Sequence, residues 1–489
     1  MDFAYTQLPW ASGRLAILVI YNLFVSPLRR FPGPKSAAAT PLPYLKAVLT
    51  GRTSQYVYGL HQKYGDIVRI GPRELSYTKA EAWKDIYGHR SGHELFLKEP
   101  AFYMDPPNGI PSLFSSDHKY HPRLRRPMAH AFSEKALRSQ EPLMRVYIDL
   151  LIQGLRGKAD TGEDLDIVSW FNWTTFDIIG DLSFGEPFDC LKTRSIHPWV
   201  KIIFDTVRAT AVMGAIRRAP GAQRLIEFFI PKGEKELPKR HQELTDDKVA
   251  RRLNSTTDRP DFIHYLLKNK DKQDALTDPE LSSALFAVIV GGSETTATLL
   301  SGCIYLLLRN PDKLQKLVDE VRQTFKSDDE INSVSANQLK YTLAVLDESM
   351  RVYPPVPIGM PREVPKGGDT ILGEHIPGGT IVSVHQYASH HSPDHFRDPE
   401  TFAPERFMGD PYYADDDRKV FQPFSIGARN CIGRNLAYAE MRPILARIVY
   451  NFDLELSDEE YDWTGDQRTF IIWEKGPLKI KVHNAQKVV

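Results

Sequence analysis

The chain has 489 residues, 42% of them apolar and 25% charged, which is typical of a folded globular protein and excludes a disordered one. The 62 Lys and Arg residues balance the 62 Asp and Glu residues, so no overall charge favours nucleic acid and we expect no nucleic-acid partner. Three cysteines, Cys190, Cys303 and Cys431, cannot form a disulfide framework and fit a reducing compartment.

The N-terminal segment is apolar. Leu15–Val25 reads LAILVIYNLFV, shorter than the roughly 20 residues of a membrane span, and Arg29 and Arg30 follow in place of a signal-cleavage site. We predict that residues 1–30 form a short or tilted membrane anchor with a basic hinge, and the alternative is a helix that only docks on the protein. The basic residues after the anchor predict a cytosolic main domain.

Residues 31–489 contain no linker, charge block or repeat, which predicts a single domain. Alternating apolar residues predict strands from Thr53 to Thr78, with a turn at Gly71-Pro72. Helical periodicity dominates from about Lys119 to Phe325, and short strands are predicted for 356–401 and 452–482. The fold class is therefore mainly α with a small β-rich lobe.

One predicted helix is unusually long. A capping box, Thr277-Asp-Pro-Glu280, opens it, and the apolar run continues to Leu308 with Glu294 as the only later charge. About thirty residues would extend for about 45 Å. Because Gly291–Thr296 makes its centre polar, the pattern favours a buried helix through the domain over a membrane span.

A cysteine lies between two glycines in the segment FSIGARNCIG, residues 424–433. Cys431 follows Arg429 and precedes a helix predicted to begin near Arg434, and both features are expected to stabilise a thiolate. Gly427 and Gly433 would let backbone approach a flat, bulky group. A structural cysteine and a catalytic nucleophile are the alternatives, but no nearby histidine provides a base.

This segment resembles the haem-ligand signature of the cytochrome P450 family, F-x-x-G-x-R-x-C-x-G, at Phe424, Gly427, Arg429, Cys431 and Gly433. The resemblance implies that Cys431 is the axial thiolate ligand of haem iron. It also implies that Arg429 pairs with a haem propionate and that Phe424 covers the thiolate. The family fold is a triangular prism, with haem b between the long central helix and the cysteine loop.

Other motifs of that family follow in the same order. Glu348-Ser-Met-Arg351 matches E-x-x-R, whose spacing places both side chains on one helical face. Pro404-Glu-Arg406-Phe407 matches P-E-R-F, whose arginine completes a Glu-Arg-Arg network in the family. Such a network would hold the loop that carries the cysteine.

The centre of the long helix, Gly291–Thr296, resembles the family segment A/G-G-x-D/E-T-T. Reductive cleavage of O2 consumes two protons, and an alcohol beside a carboxyl group can relay them. We predict Thr295 as the alcohol and Glu294 as its acid partner. The alternative, a threonine bonded to its own helix, does not explain a buried glutamate.

Further positions carry over from the resemblance. His121 and Arg125 fill the place of W-x-x-x-R, with histidine instead of tryptophan, and Arg362 resembles another propionate partner. Family position also suggests residues that line the substrate pocket: Phe102–Leu113, Phe286, Val290, Ile358 and Phe470.

No P-loop and no dinucleotide G-x-G-x-x-G after a strand is recognisable, so electrons are expected from NADPH through an NADPH–cytochrome P450 reductase. Arg123, Arg126 and Arg434 are candidate contacts for that reductase. The stretches AFSEKAL and NWTTFDIIGDLSFG are similar to fungal secondary-metabolism members, of the trichothecene (isotrichodermin) hydroxylase type.

The expected activity is a monooxygenase that inserts one oxygen atom from O2 into a mid-sized apolar substrate at the endoplasmic reticulum membrane. A terpenoid, a polyketide or a peptide-derived compound would suit such a pocket. One alternative is an oxygen-independent haem-thiolate isomerase or dehydratase, and another is a haem-binding sensor.

Overall fold

The computed structural model describes residues 8–219, 232–267 and 275–485. Helices make up most of this part of the chain, as predicted. They are α1 (Leu8–Ile20), α2 (Lys35–Ala39), α3 (Leu42–Leu49), α4 (Thr53–Tyr64), α5 (Ala80–Tyr87), α6 (His121–Ala131), α7 (Glu134–Thr161), α8 (Ile167–Phe184), α9 (Cys190–Thr193), α10 (Pro198–Arg217), α11 (Lys232–Leu253), α12 (Phe262–Leu267), α13 (Asp278–Leu308), α14 (Pro311–Thr324), α15 (Lys340–Val352), α16 (Gln386–His390) and α17 (Arg434–Asn451).

The strands are short and form small sheets. They are β1 (Ile67–Gly71), β2 (Glu74–Tyr77), β3 (Leu97–Lys98), β4 (Leu165–Asp166), β5 (Arg362–Glu363), β6 (Asp369–Ile371), β7 (Glu374–Ile376), β8 (Ile381–Val384), β9 (Phe452–Leu456), β10 (Arg468–Thr469), β11 (Trp473–Glu474) and β12 (Lys479–Asn484). The largest sheet has the order β1-β2-β8-β5-β3, with β2 and β8 parallel. A second sheet, β4-β12-β9, and the hairpins β6-β7 and β10-β11 complete the β structure of the described residues.

The strand prediction for residues 53–78 is wrong in its first half. Thr53–Tyr64 forms α4, in which Thr53, Val57 and His61 are buried four residues apart, the helical repeat. Strands β1 and β2 and the turn after Gly71 are confirmed. The alternation of apolar residues was therefore a strand signal only from Ile67 onward.

The long helix α13, hereafter the central helix, spans 31 residues, and its capping box is present at Thr277 and Glu280. Among the described residues it is long and apolar enough to cross a membrane, but 72% of its most apolar window is buried inside the protein. It packs against α8, α11, α15 and α17. The prediction of a buried helix through the domain is confirmed.

Two of the hydrophobic clusters among the described residues are large. The larger core joins the central helix to α7, α8, α15 and α17. The smaller core lies between the largest sheet and α5, and includes Leu75, Trp83 and Val382. The predicted mainly α fold with a small β-rich lobe is therefore confirmed.

The N-terminal helix leaves its apolar side chains in solvent. Helix α1 continues into a π turn, Tyr21–Val25, and the exposed apolar side chains are Leu15, Ile17, Leu18, Ile20, Phe24 and Val25. Asn22 fastens the end of this segment to the domain: its Nδ2 donates to the Ala39 carbonyl at 3.1 Å, and Arg69 donates to its carbonyl at 2.9 Å. The apolar surface is thus presented beside the domain rather than packed into it.

Candidate active site

Residues 424–433 form a closed loop, hereafter the cysteine loop, before α17. The Cys431 amide donates to the Phe424 carbonyl at 2.9 Å, and Gly433 caps the N-terminus of α17. Gly427 has a φ of 76°, and a Cβ there would lie 2.1 Å from the Tyr87 carbonyl oxygen. The glycine therefore lets the loop pack against the end of α5.

Cys431 differs from the other two cysteines because its side chain is exposed, whereas Cys190 and Cys303 are buried. The expected stabilisation of its thiolate is only partly present. Desolvation by the protein packed around the loop raises the thiol pKa and outweighs the Gly433 amide and the charges of Arg125 and Arg434, which lower it, although the sulfur itself still reaches solvent. The expectation of a lowered pKa from local charge is wrong, since the cost of desolvating a thiolate is larger.

Three basic side chains meet beside the cysteine loop and are hereafter called the cation cluster: Lys98, Arg362 and Arg429. The register of β3 and β5 places Lys98 directly opposite Arg362, an arrangement that is destabilising for like charges. Arg362 is 6% exposed, and its Nε and Nη1 have no hydrogen-bond partner. None of the three forms an ion pair among the described residues, and Lys98 and Arg429 are half-buried, so the cluster has no acidic partner there.

The electrostatics of the cation cluster agree with its geometry. Burial, with the charges of Arg429 and Arg362, lowers the pKa of Lys98 to about 5. Burial and the charge of Arg362 likewise lower the pKa of Arg429 to about 10. Lys98 donates to the Leu113 carbonyl at 2.8 Å, and Arg429 donates to the Ser116 carbonyl at 2.7 Å. These carbonyl contacts leave the positive charges without a counter-ion.

His121 and Arg125, the two site residues predicted on α6, lie at the edge of the cation cluster and differ in charge. Burial and the charge of Arg429 lower the pKa of His121 to about 3, so it is neutral near pH 7. Arg125 donates to the Asn430 carbonyl at 2.7 Å and to Asn430 Oδ1 at 2.6 Å. Arg125 therefore holds the cysteine loop with two of its five N–H groups and keeps three for another acceptor.

One face of the central helix is partly open. Phe286, Val290, Gly291 and Thr295 are half-buried, whereas most of their neighbours are buried. Gly291 and Thr295, four residues apart, share one face, hereafter the open face, and Phe286 and Val290 share another about 140° round the helix. The ring of Phe114 packs against Gly291, 3.3 Å from the position of a Cβ. Of the suggested pocket residues, Phe286 and Val290 thus lie away from the open face.

Two of the suggested pocket residues on other elements are more enclosed, whereas Phe102–Leu113 is mostly half-buried or exposed. Ile358 is 2% exposed and Phe470 is 5% exposed. Phe470 packs with α3 and α10 in a separate apolar cluster.

The structure separates the predicted relay pair. Thr295 Oγ1 donates to the Gly291 carbonyl at 2.7 Å, the bond within its own helix that was considered as the alternative. Glu294 Oε1 instead accepts from Lys475 and, at 3.2 Å, from Thr298. Consecutive helical residues point about 100° apart, so the carboxylate and the Thr295 hydroxyl leave the helix on different sides. Lys475 accounts for the buried glutamate.

Glu348, Arg351 and Arg406 do meet, and all three side chains are fully buried. Arg351 donates to both carboxylate oxygens of Glu348 at 2.8 Å, and Arg406 Nε lies 3.4 Å from Oε1. A fourth residue, Asp416, accepts from Arg406 at 2.6 Å. Two acids therefore balance two arginines.

Arg351 also donates to the carbonyls of His390, Pro399 and Thr401. The network thereby fixes the connection between α16 and the P-E-R-F segment.

The suggested basic contacts for a reductase are not equivalent. Arg123 Nε donates to Glu280 at 2.7 Å, at the start of the central helix, so an acid already compensates its charge. Arg434 is exposed at the start of α17, and its guanidinium lies 5.7 Å from the Phe424 ring centroid. Arg123 is therefore paired within the domain, whereas Arg434 is a cation at the surface beside the cysteine loop.

Comparison with known proteins agrees with the site. The family model "Cytochrome P450" matches residues 36–482. The chain belongs to the cytochrome P450 family. It is 45% identical over 466 residues to "Cytochrome P450 monooxygenase astA" of Talaromyces wortmannii, covering 95% of this chain and 94% of the relative. It is also 44% identical over 467 residues to the "Averantin hydroxylase" of Dothistroma septosporum, covering 95% and 88%.

A third relative extends the match to almost the whole chain. "Cytochrome P450 monooxygenase astJ" of Aspergillus oryzae is 44% identical over 491 residues, covering 99% of this chain and 97% of the relative. The resemblance to fungal P450 enzymes is confirmed, and the protein is a P450 monooxygenase.

Membership of the P450 family implies a haem, and the residues present fit one. Haem iron needs a thiolate ligand, and Cys431 is the accessible thiol of the three. The two propionates of haem need cations, and the cation cluster supplies them without acidic partners. A bound anion would favour the protonated form of Lys98 and offset its repulsion from Arg362.

Sequence reasoning missed three residues that the structure brings to the site. Lys98 has no signal of its own, because a two-residue strand has no readable pattern and only its register places it opposite Arg362. Lys475 meets Glu294 across 181 residues of chain, and Asp416 had no motif position. Of these, only the buried Glu294 gave a signal in the sequence, because a charge buried on an apolar helix predicts an oppositely charged partner from another segment.

Proposed function

We propose that this P450 inserts one oxygen atom from O2 into a mid-sized apolar substrate of a fungal secondary-metabolite pathway, with electrons from NADPH through a reductase. The observation that carries this proposal is the open face of the central helix. It carries the Thr295 hydroxyl, and the ring of Phe114 packs beside it against Gly291. Such a face suits a substrate that is apolar and reacts at one end.

Each candidate residue has a defined task. Cys431 would ligate the iron. The propionates would be bound by Arg362, Arg429 and Lys98. The free N–H groups of Arg125 and the neutral ring of His121 lie beside them. Phe424 covers the sulfur, and its ring packs 5.5 Å from that of Tyr438. When bound, the haem supplies the activation of O2 and the transfer of oxygen to carbon.

Thr295 and Glu294 are the candidate groups for proton delivery. The Thr295 hydroxyl lies on the open face and its proton is held by the Gly291 carbonyl, so its oxygen lone pairs are free to accept a hydrogen bond. Glu294 lies one residue earlier with Oε2 unpartnered and buried. For the carboxyl group to serve the hydroxyl, its side chain must turn toward the open face.

We also place the enzyme on the endoplasmic reticulum membrane with its catalytic domain in the cytosol. The exposed apolar side chains of residues 15–25 support an anchor, and Arg29 and Arg30 follow it. Deleting residues 1–30 is expected to move the protein from the membrane pellet to the soluble fraction while haem content persists. A full-length protein already soluble in cells would contradict the anchor.

The activity is tested with purified full-length enzyme, a fungal reductase, NADPH and candidate metabolites selected by their binding spectra. We expect substrate-dependent NADPH oxidation and a product that gains one atom of labelled oxygen from O2. An oxygen-independent isomerase would convert its substrate without NADPH, and a sensor would bind without conversion. Either result would overturn the proposed reaction.

A further inference from the structure

A lysine from the C-terminal tail reaches the centre of the buried central helix. Lys475 follows strand β11, and its ammonium donates to Glu294 Oε1 and, at 2.7 Å, to Thr298 Oγ1. The side chains of Lys475 and Glu294 are each 2% exposed. A buried pair of this kind is costly to form and weak evidence for stability, so its presence needs another reason.

The C-terminal segment is held in place next to Lys475 by Trp473. Trp473 Nε1 donates to the Pro354 carbonyl at 2.8 Å, and its ring stacks on Tyr353 with centroids 5.1 Å apart. Tyr353 in turn packs against Gly302 of the central helix, where a Cβ would lie 2.2 Å from its ring. The Lys475 ammonium is therefore held in register with Glu294, two turns before Gly302 on the same helix.

We propose that Lys475 is a positioning residue for proton delivery, which holds Glu294 as a carboxylate turned away from Thr295 until the ion pair opens. This inference rests on the proposed monooxygenase function and deepens it. Thr298 closes a triangle of hydrogen bonds on Oε1, while Oε2 keeps no partner. One carboxylate oxygen is thus restrained and the other remains available to accept a proton.

The reaction consumes protons that must reach the site, and Glu294 is the group proposed to carry them. Hydroxylation follows RH + O2 + 2 e⁻ + 2 H⁺ → ROH + H2O, with the electrons from NADPH through the reductase. Glu294 takes up a proton from solvent water as it leaves Lys475 and gives it up on the side of Thr295, so the carboxylate is regenerated in each transfer. The ammonium then binds it again, and Lys475 neither gains nor loses a proton overall.

The charges around Glu294 favour this role. Burial raises the pKa of Glu294, and the charge and hydrogen bond of Lys475, with that of Thr298, oppose the rise. The other titratable group that faces it is Tyr353, whose pKa is raised by its own burial and by Glu294. Glu440, from α17, interacts instead with Thr296. Lys475 is thus the cation that opposes the effect of burial on Glu294.

The state of Glu294 is tested by infrared spectroscopy of full-length, haem-loaded protein near neutral pH. Lys475→Met removes the charge and keeps the side-chain length, and Lys479→Met is the matched control on the exposed part of the same tail. We expect a new protonated-carboxyl band in Lys475→Met, no such band in Lys479→Met, and loss of the band in Lys475→Met/Glu294→Gln. An unchanged spectrum in Lys475→Met, or a band that survives Glu294→Gln, would overturn the proposal.

The functional consequence is measured as NADPH oxidation with reductase, O2 and a metabolite selected by its binding spectrum. We expect Lys475→Met and Glu294→Gln each to slow NADPH oxidation about tenfold, and the double variant to be no slower than either. Lys475→Arg, which keeps the positive charge, should oxidise NADPH at the rate of the parent. Additive losses would mean that Lys475 does not act through Glu294. If the parent oxidises no NADPH, the proposed function fails, whereas the infrared result still decides the ion pair.

Discussion

Two groups of arginines in this enzyme are built in opposite ways. Glu348, Arg351, Arg406 and Asp416 form a network with two acids for two arginines. The cation cluster of Lys98, Arg362 and Arg429 contains no acid, and its members repel one another. A network that balances its own charge serves the fold, whereas one that leaves charge unbalanced fits an anionic ligand.

The largest expected effect comes from removing an acid of the balanced network. Glu348→Gln leaves two buried arginines short of a counter-charge, and we expect it to lower the free energy of unfolding by about 3–5 kcal/mol. Denaturant unfolding and the yield of haem-loaded protein measure this. Glu405→Gln, which disrupts surface pairs with Lys313 and Lys316, is the control and should cost at most about 1 kcal/mol. Equal costs would contradict a structural role specific to the network.

Removing a charge from the cation cluster should not lower the stability of the haem-free protein. Arg362→Met removes a repelling charge, so we expect the haem-free protein to be no less stable, while haem is lost about tenfold faster. Transfer of haem to an excess of apomyoglobin measures the loss. Arg208→Met, at a surface pair with Glu474, should change neither quantity. A less stable haem-free protein with unchanged haem retention would place Arg362 in the fold and not in the haem site.

Lys98 provides a pH test of the same cluster. Because its folded pKa is lowered to about 5, the unfolded chain binds one more proton between about pH 5 and its ordinary lysine pKa of about 10.4. The stability of the haem-free protein should therefore rise with pH across this window, and Lys98→Met should flatten the rise. Melting temperatures at several pH values measure the slope. An equally steep slope in Lys98→Met would show that the lysine is charged in the folded state.

Substitutions of Thr295 and Glu294 on the central helix should have smaller effects, which differ between the two residues. Thr295→Ala removes one hydroxyl and should leave haem binding and substrate binding nearly unchanged, because one hydrogen bond contributes about 1 kcal/mol. Product formed per NADPH should fall and hydrogen peroxide should rise. Glu294→Gln should instead slow turnover, since the acid is lost while the alcohol remains. Unchanged coupling in Thr295→Ala would place the relay elsewhere or favour the oxygen-independent reaction.

The sequence predicted what depends on neighbouring residues. The capping box at Thr277, the helix to Leu308 and the Glu348–Arg351 pair all follow from spacings of three or four residues within one helix. The error at Thr53–Tyr64 arose where an amphipathic helix with few apolar residues was taken for a strand.

Contacts across the chain were not predictable in the same way. Lys98 depends on the register of a two-residue strand, and Lys475 on how the C-terminal hairpin packs over Tyr353. The Cys431 pKa was misjudged because local charges can be read from the sequence, whereas burial is a property of the whole fold.

The carbon monoxide difference spectrum of reduced Cys431→Ala tests the haem-thiolate assignment most directly. Cys190→Ala and Cys303→Ala are matched controls, because both remove buried cysteines away from the cysteine loop. We expect the parent and both controls to show the red-shifted Soret band of a thiolate-ligated haem, and Cys431→Ala to lack it. A Cys431→Ala protein that retains this band would contradict the assignment of Cys431 as the ligand.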